Sequence, residues 1–200
     1  MTQTENLLTT ARDFFMQYGI KSVSMDDLSS KLGISKKTLY QVVENKKDLV
    51  MKVIDNHIEI QNEEMVNILA ADHDAIDEML DFARYLIGLL KNLRPGVTYD
   101  LQKYYPEAWN KIQTLHHETI NKIILANIKK GIKEGVYRKN INPEIIAKLY
   151  LTQALQLTDE KLFPLNKYTM ESLIREFIGY HFYGIASVDG FKKLNSIKKI

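Results

Sequence analysis

Cysteine is absent from the 200-residue chain, and with it go disulfide frameworks, thiolate metal sites and cysteine nucleophiles. Also missing is a strong charge of either sign. Twenty-seven lysines and arginines against 25 aspartates and glutamates leave +2, so any grip on nucleic acid must come from a local patch. No run approaches the roughly 20 apolar residues that a membrane helix requires. The opening MTQTENLLTTARDFF alternates polar and apolar positions instead of presenting a continuous apolar core behind basic residues, so no secretory signal is expected. These features predict a soluble, cytoplasmic protein with no membrane partner. The phosphate-cradling GxGxxG and GxxxxGK motifs, the nucleophile elbow GxSxG and the metal-binding HExxH are all lacking. The carboxylates read as solvated helix faces, so neither catalysis nor a cofactor is expected.

What is present is an ordered composition, 45% apolar and 26% charged, sufficient for one large or two small cores. The informative stretch is Ser24 to Lys47, SMDDLSSKLGISKKTLYQVVENKK. Ser24 caps a first helix with Asp27 three residues on, and Met25, Leu28 and Leu32 fall on one face. Gly33 stops that helix by taking the left-handed conformation, and Ile34 pins the corner. Ser35 starts a second helix with Lys36, Lys37, Thr38, Tyr40 and Gln41 outward and Ile34, Leu39 and Val43 inward. The spacing predicts a helix-turn-helix. Its ammonium groups and free helix amino end suit phosphates, whereas Thr38, Gln41 and Lys37 are polar or long enough to reach base edges.

The longer run GIKSVSMDDLSSKLGISKKTLYQVVENKKDLV resembles the amino-terminal domain of the tetracycline-repressor (TetR) family of transcription regulators. Ala11, Phe14, Gly19, Met25, Leu28, Gly33, Ile34, Ser35, Thr38, Leu39, Tyr40, Lys46 and Leu49 stand in the family's spacing. The resemblance implies that Ser35 to Gln41 lies in the major groove and that Tyr40 and Lys46 touch phosphates. The chain departs from the family at Val42 or Val43, where an aromatic or a histidine is usual, and at Glu44, which adds a negative charge. The expected DNA-binding residues are Ser35, Lys36, Lys37, Thr38, Tyr40, Gln41 and Lys46.

Along the chain, Leu7, Leu8, Ala11, Phe14, Phe15 and Tyr18 predict a first helix ending at Gly19. Asn45, with Asp48 three residues on, opens a long helix toward Leu69, which the resemblance implies couples head to body. A helix through Ile76, Met79, Leu80, Ala83, Leu86, Ile87 and Leu90 is expected to end at Pro95 and Gly96. Pro106 starts another that runs to Gly135, and Asn142–Pro143 opens a third. Gln156 to Lys167 reads as a loop, and Thr169 begins a final helix. The expected fold is all-α, with a three-helix DNA-binding head over residues 1–47 and a larger helical ligand-binding and dimerisation bundle over 48–200.

Phe82, Tyr85, Leu86, Leu89, Tyr99, Tyr104, Tyr105 and Trp109 make a candidate apolar pocket, with core packing as the competing account. His116, His117 and Glu118 are neighbours on a helix and point about 100° apart, so no metal site is expected. His57 and His181 read as helix-face residues. Lys192, Lys193, Lys198 and Lys199 read as a solvated tail. One reading helix covers few base pairs, so specificity calls for a two-fold homodimer. Ile146, Leu149, Tyr150, Gln153, Ile174, Phe177, Ile178 and His181 are its candidate interface, or else close each copy's own core. The expected function is a ligand-responsive transcriptional regulator. It acts as a repressor, binding a pseudo-palindromic double-stranded DNA operator as a homodimer and answering to a small apolar or amphipathic effector. The alternative is a DNA-localised interaction protein whose body binds another protein.

Overall fold

The computed structural model describes residues 3–70, 72–91, 95–159, 161–164 and 166–197. Lys198 and Lys199 lie outside the described residues. Eleven α-helices form among them: α1 Gln3–Tyr18, α2 Met25–Leu32, α3 Lys36–Val42, α4 Lys46–Ala70, α5 Ala75–Lys91, α6 Pro95–Tyr104, α7 Pro106–Leu115, α8 Asn121–Glu134, α9 Pro143–Gln156, α10 Met170–Ile185 and α11 Val188–Ser196. A single π turn, His116–Ile120, stands between α7 and α8. The only β feature among the described residues is an isolated bridge between Tyr137 and Ala186. The protein is all-α.

The chain divides into two compact units, one of residues 1–64 with 93–115 and the other of 65–92 with 116–200. This division differs from the expected 1–47 and 48–200. The reason is α6 and α7, whose Val97, Leu101 and Ala108 are buried with the residues of the head. Val97 and Leu101 are four apart and so share a helix face. Sequence reasoning took Pro95 and Gly96 as an end, but proline at the first position of a helix leaves no bond unmade, and α6 begins there.

In the first unit, Leu7, Leu8, Ala11 and Phe15 of α1 pack with Leu28 of α2, Leu39 of α3 and Leu49, Val50 and Val53 of α4. A three-helix head has few such residues, and the apolar faces of α4, α6 and α7 enlarge its core. In the second unit, α8 pairs with α9 and α5, and α5 pairs with α10. Ile76, Met79, Ile124, Ile128, Tyr137, Tyr150, Ile174, Ile178 and Phe182 are its largest fully covered side chains among the described residues. A polar network crosses this core. Asn127 Nδ2 donates to the Ala75 carbonyl at 2.8 Å and to Glu78 Oε1 at 2.9 Å, and Lys130 Nζ donates to Glu78 Oε2 at 2.7 Å. With each buried polar group partnered, the network specifies the α5–α8 register instead of weakening it.

The carboxyl-terminal helix α11 was not foreseen. Ser187 caps it, accepting from the Gly190 amide at 3.1 Å, and its Lys193 pairs with Asp74 and Asp77 at the start of α5. No described helix is long and apolar enough to cross a membrane.

Candidate nucleic-acid interface

The helix-turn-helix is assembled by three local devices. Ser24 and Asp27 form a reciprocal capping box: the Asp27 amide donates to Ser24 Oγ at 3.1 Å, and the Ser24 amide donates to Asp27 Oδ2 at 2.8 Å. The Ser24 hydroxyl and amide hydrogen bonds hold the Asp27 carboxyl below its ordinary pKa. Gly33 adopts φ 65°, and the amides of Gly33 and Ile34 donate to Ser30 O and Ser29 O at 3.2 and 3.1 Å, closing α2. Ser35 then caps α3 by accepting from the Thr38 amide at 3.0 Å, while its hydroxyl meets that of Thr38 at 2.8 Å.

Helix α3 buries only Leu39 and leaves Lys36, Lys37, Tyr40 and Gln41 exposed, with Thr38 half-buried. Its far end is held from α4: Lys52 Nζ donates to the Val42 carbonyl at 2.7 Å and to Asp48 Oδ2 at 2.9 Å. Asp48 in turn accepts from the Glu44 amide at 2.9 Å, and its own amide donates to Asn45 Oδ1 at 3.0 Å. This chain of bonds fixes the α3–α4 corner. It lowers the Asp48 pKa, chiefly through the Glu44 amide.

The expected lysines are not alike. Lys36 pairs with Asp26, an exposed pair of the kind that contributes about 0–1 kcal/mol and so can exchange for a phosphate. Lys37 has no carboxylate partner among the described residues. Lys46 is half-buried; its ammonium donates to the Lys21 carbonyl at 3.2 Å, and desolvation lowers its pKa. Lys47 pairs with Glu107 of α7 at 3.0 Å.

The eight candidate pocket residues are divided between the two units. Phe82, Tyr85, Leu86 and Leu89 belong to the second unit, and Tyr99, Tyr104, Tyr105 and Trp109 to the first. Tyr99 and Tyr104 are exposed, with their phenols on Lys103 and Lys21. Tyr105 and Trp109 pack at the edge of the first unit's core. The hollow in the second unit lies instead among Met65, Ile68, Leu69, Glu78, Met79, Phe82, Ile123, Ile124 and Asn127, with Phe82 alone shared with the expected set. Its volume is ≈ 10 Å³, about the room one water needs. Spacing could not separate these outcomes, because an aromatic at a helical position suits a core, a rim or a surface equally.

The candidate dimer residues also part. Tyr150, Ile174, Phe177, Ile178 and His181 are covered within one copy, Ile146 is half-buried, and Leu149 and Gln153 are exposed. The large apolar side chains left open on α9 and α10 are Ile145, Leu149, Tyr180 and Tyr183. His57 is half-buried and, like His181, has its pKa lowered by burial. His117 is exposed, and among the described residues no three or more metal-ligating side chains cluster.

Sequence reasoning passed over Lys21, Tyr99, Lys103 and Tyr104 as a charged group. The available signal was the four-residue spacing of Tyr99 and Lys103, which brings both to one face of a helix.

Residues 7–53, the span from α1 into α4, match the family described as "Bacterial regulatory proteins, tetR family". The chain is 26% identical over 170 residues to the uncharacterized HTH-type transcriptional regulator YvaF of Bacillus subtilis (strain 168), covering 83% of this chain and 87% of that protein. The fold is similar to that of a transcriptional regulator from Cytophaga hutchinsonii ATCC 33406, with TM-score 0.77, 19% identity, and coverage of 92% of this chain and 98% of that one. It is also similar to a transcriptional regulator from Saccharomonospora viridis solved in complex with choline, with TM-score 0.65, 18% identity, and coverage of 92% and 97%. A capped helix-turn-helix, the matched head and a fold shared along most of the chain agree: residues 7–53 are a head of the kind described for bacterial regulatory proteins of the tetR family, and the chain is similar along most of its length to transcriptional regulators.

Proposed function

We propose that the protein is a homodimeric repressor that grips a pseudo-palindromic operator with two copies of α3 and releases it when a small effector occupies the second unit. The observation that carries this reading is the surface of α3, where one buried leucine anchors a helix that turns Lys37, Tyr40 and Gln41 to solvent. In the proposed complex Ser35, Lys36, Tyr40 and Lys46 meet phosphates, and Lys37, Thr38 and Gln41 reach base edges. A second copy about 34–36 Å away, or a multiple of that, supplies the other half-site. The exposed Ile145 and Leu149 of α9 and Tyr180 and Tyr183 of α10 are the apolar surface offered to that copy.

The effector is a small apolar or amphipathic molecule that enlarges the hollow beside Phe82 and Met79. By preferring the conformer with wrongly spaced heads, it weakens operator binding by about 1–3 kcal/mol. The choline in the Saccharomonospora viridis regulator supports a small-molecule effector for this fold. The small hollow favours a second reading, in which the body binds another protein and DNA contact localises the pair.

Genome-wide mapping of bound DNA, followed by footprinting and sedimentation of the purified chain, tests the proposal. Two protected half-sites and a dimer that Leu149→Glu dissociates are expected. A monomer, or protection without two-fold symmetry, refutes it. A thermal shift with one member of a small-molecule panel decides for the effector, and a flat panel with a stable protein partner decides for the second reading.

A further inference from the structure

Besides Lys31, Lys37 and Lys46, which form no ion pair among the described residues, the described cations of the first unit include two contrasting sets. Arg12, Lys36, Lys47, Lys52 and Lys111 each pair with a carboxylate: Asp13, Asp26, Glu107, Asp48 and Asp55. Lys21 and Lys103 have no such partner among the described residues and rest on phenols. Lys21 Nζ donates to Tyr104 Oη at 2.9 Å and stands 4.7 Å from the centre of that ring. Lys103 Nζ donates to Tyr99 Oη at 2.7 Å and stands 5.1 Å from the Tyr99 centroid and 5.4 Å from that of Tyr104. Two ammonium groups therefore share one ring, and each is exposed to the other's repulsion.

The backbone beneath them is fixed. The Lys21 amide donates to Asp100 Oδ2 at 2.8 Å, and Lys46 Nζ donates to the Lys21 carbonyl at 3.2 Å. The nearby carboxylates, Asp100 and Asp27, offset part of the charge but form no ion pair with these ammonium groups among the described residues. Asp100 is buried and engaged by the Lys21 amide, and Asp27 is occupied by the Ser24 cap. Lys21, Lys46 and Lys103 are thus one group of cations in which phenols hold the outer two in place without neutralising them. Tyr99 and Tyr104 are themselves exposed, so the surface is a polar one and offers a ligand no apolar hollow. Positioned ammonium groups beside Lys46, without a carboxylate in an ion pair, fit the next phosphates of the same duplex.

We propose that Lys21 and Lys103 are further phosphate contacts, which extend the DNA surface from the helix-turn-helix onto α6, outside residues 7–53. This inference rests on the operator-binding reading above. It assigns Tyr99 and Tyr104 as positioning residues that aim the two lysines.

The test is a salt titration of binding to a labelled mixed-sequence duplex of about 40 base pairs, with the full chain as wild type, Lys21→Gln, Lys103→Gln, Lys103→Arg and Lys111→Gln. Each Gln variant of Lys21 or Lys103 is expected to reduce the slope of log affinity against log salt by about one per protomer and to weaken binding several-fold whatever the sequence. Lys103→Arg keeps the wild-type slope, and Lys111→Gln, whose lysine is already paired, leaves it unchanged. Helical content by circular dichroism confirms that each variant is folded. Wild-type slopes for both Gln variants, with Lys37→Gln still weakening binding, overturn this inference alone. A wild-type chain that binds no duplex at low salt overturns the operator reading and this inference together.

Discussion

The imidazole of His181 on α10 stands edge-on to the ring of Tyr150 on α9, with centroids 4.8 Å apart and planes at 75°. Both side chains are buried, and among the described residues neither His181 Nε2 nor Tyr150 Oη has a hydrogen-bond partner. Burial pulls the His181 pKa from 6.5 down to about 4 and pushes the Tyr150 phenol up. The unfolded chain takes a proton on this histidine below pH 6.5, and the folded chain does so only near 4. The contribution is therefore complete above pH 6.5 and lost as pH falls to about 4. It amounts to about 3 kcal/mol. Denaturant midpoints of His181→Phe should fall less steeply than wild type across that interval, and parallel curves contradict the assignment.

Gly131 on α8 lies under the ring of Tyr137, so that an added Cβ would fall within it. Tyr137 cannot move aside: it is fully buried, and its hydroxyl stands 3.1 Å from both Ala75 O and Asn127 Oδ1. Gly131→Ala gains about 1 kcal/mol in helix propensity. Overpacking costs about 1–3 kcal/mol, and we expect it to dominate and the melting temperature to drop. A stabilised variant would mean that the contact is loose.

Lys52 closes the carboxyl end of α3 from α4. Lys52→Met keeps the aliphatic stem and removes the donor, at a cost of about 1 kcal/mol. Amide exchange at the last turn of α3 should quicken, and DNA affinity should fall with it. Unchanged exchange there contradicts a role in holding the reading helix.

Tyr40 and Gln41 are neighbours on α3, both exposed, with different expected duties. Tyr40→Phe should weaken binding to all duplexes alike. Gln41→Ala should lower discrimination at one base position by about tenfold. Competition binding against a panel of singly altered operators separates the two, and identical profiles would falsify the division.

The amino-terminal elements were legible because their ends are written in adjacent residues: Ser24 with Asp27, Gly33, Ser35, and Asn45 with Asp48. Asn142 and Thr169 marked α9 and α10 in the same way. Helix α6 was hidden because Pro95 and Gly96 serve equally to stop a helix or start one, and the head's core, with which Val97 and Leu101 are buried, lies far away in the sequence. Helix α11 was hidden by Gly190, which weakens a helix locally but is required where the Val136 carbonyl presses against it. The aromatic stretch was hard to place for a further reason. Residue type predicted burial, whereas Tyr99 and Tyr104 spend their rings and hydroxyls on lysines at the surface. At the reading helix the pattern gave the exposed face but not the Lys36–Asp26 pair, which depends on how α2 and α3 meet.

The bridge between Tyr137 and Ala186 makes the end of the chain part of its middle. Arg138 donates its amide to Ile185 O at 2.8 Å, and Ser187 donates its amide to Val136 O at 2.9 Å. Lys193 then answers the paired aspartates ahead of α5. A shortened product that stops after α10 would lose the Ser187 half of the clasp on the 136–138 turn and take Lys193 away from Asp74 and Asp77. Proteolytic trimming of the residues after Ile185 would therefore damage the second unit from within, and reporter fusions are better carried at the other terminus.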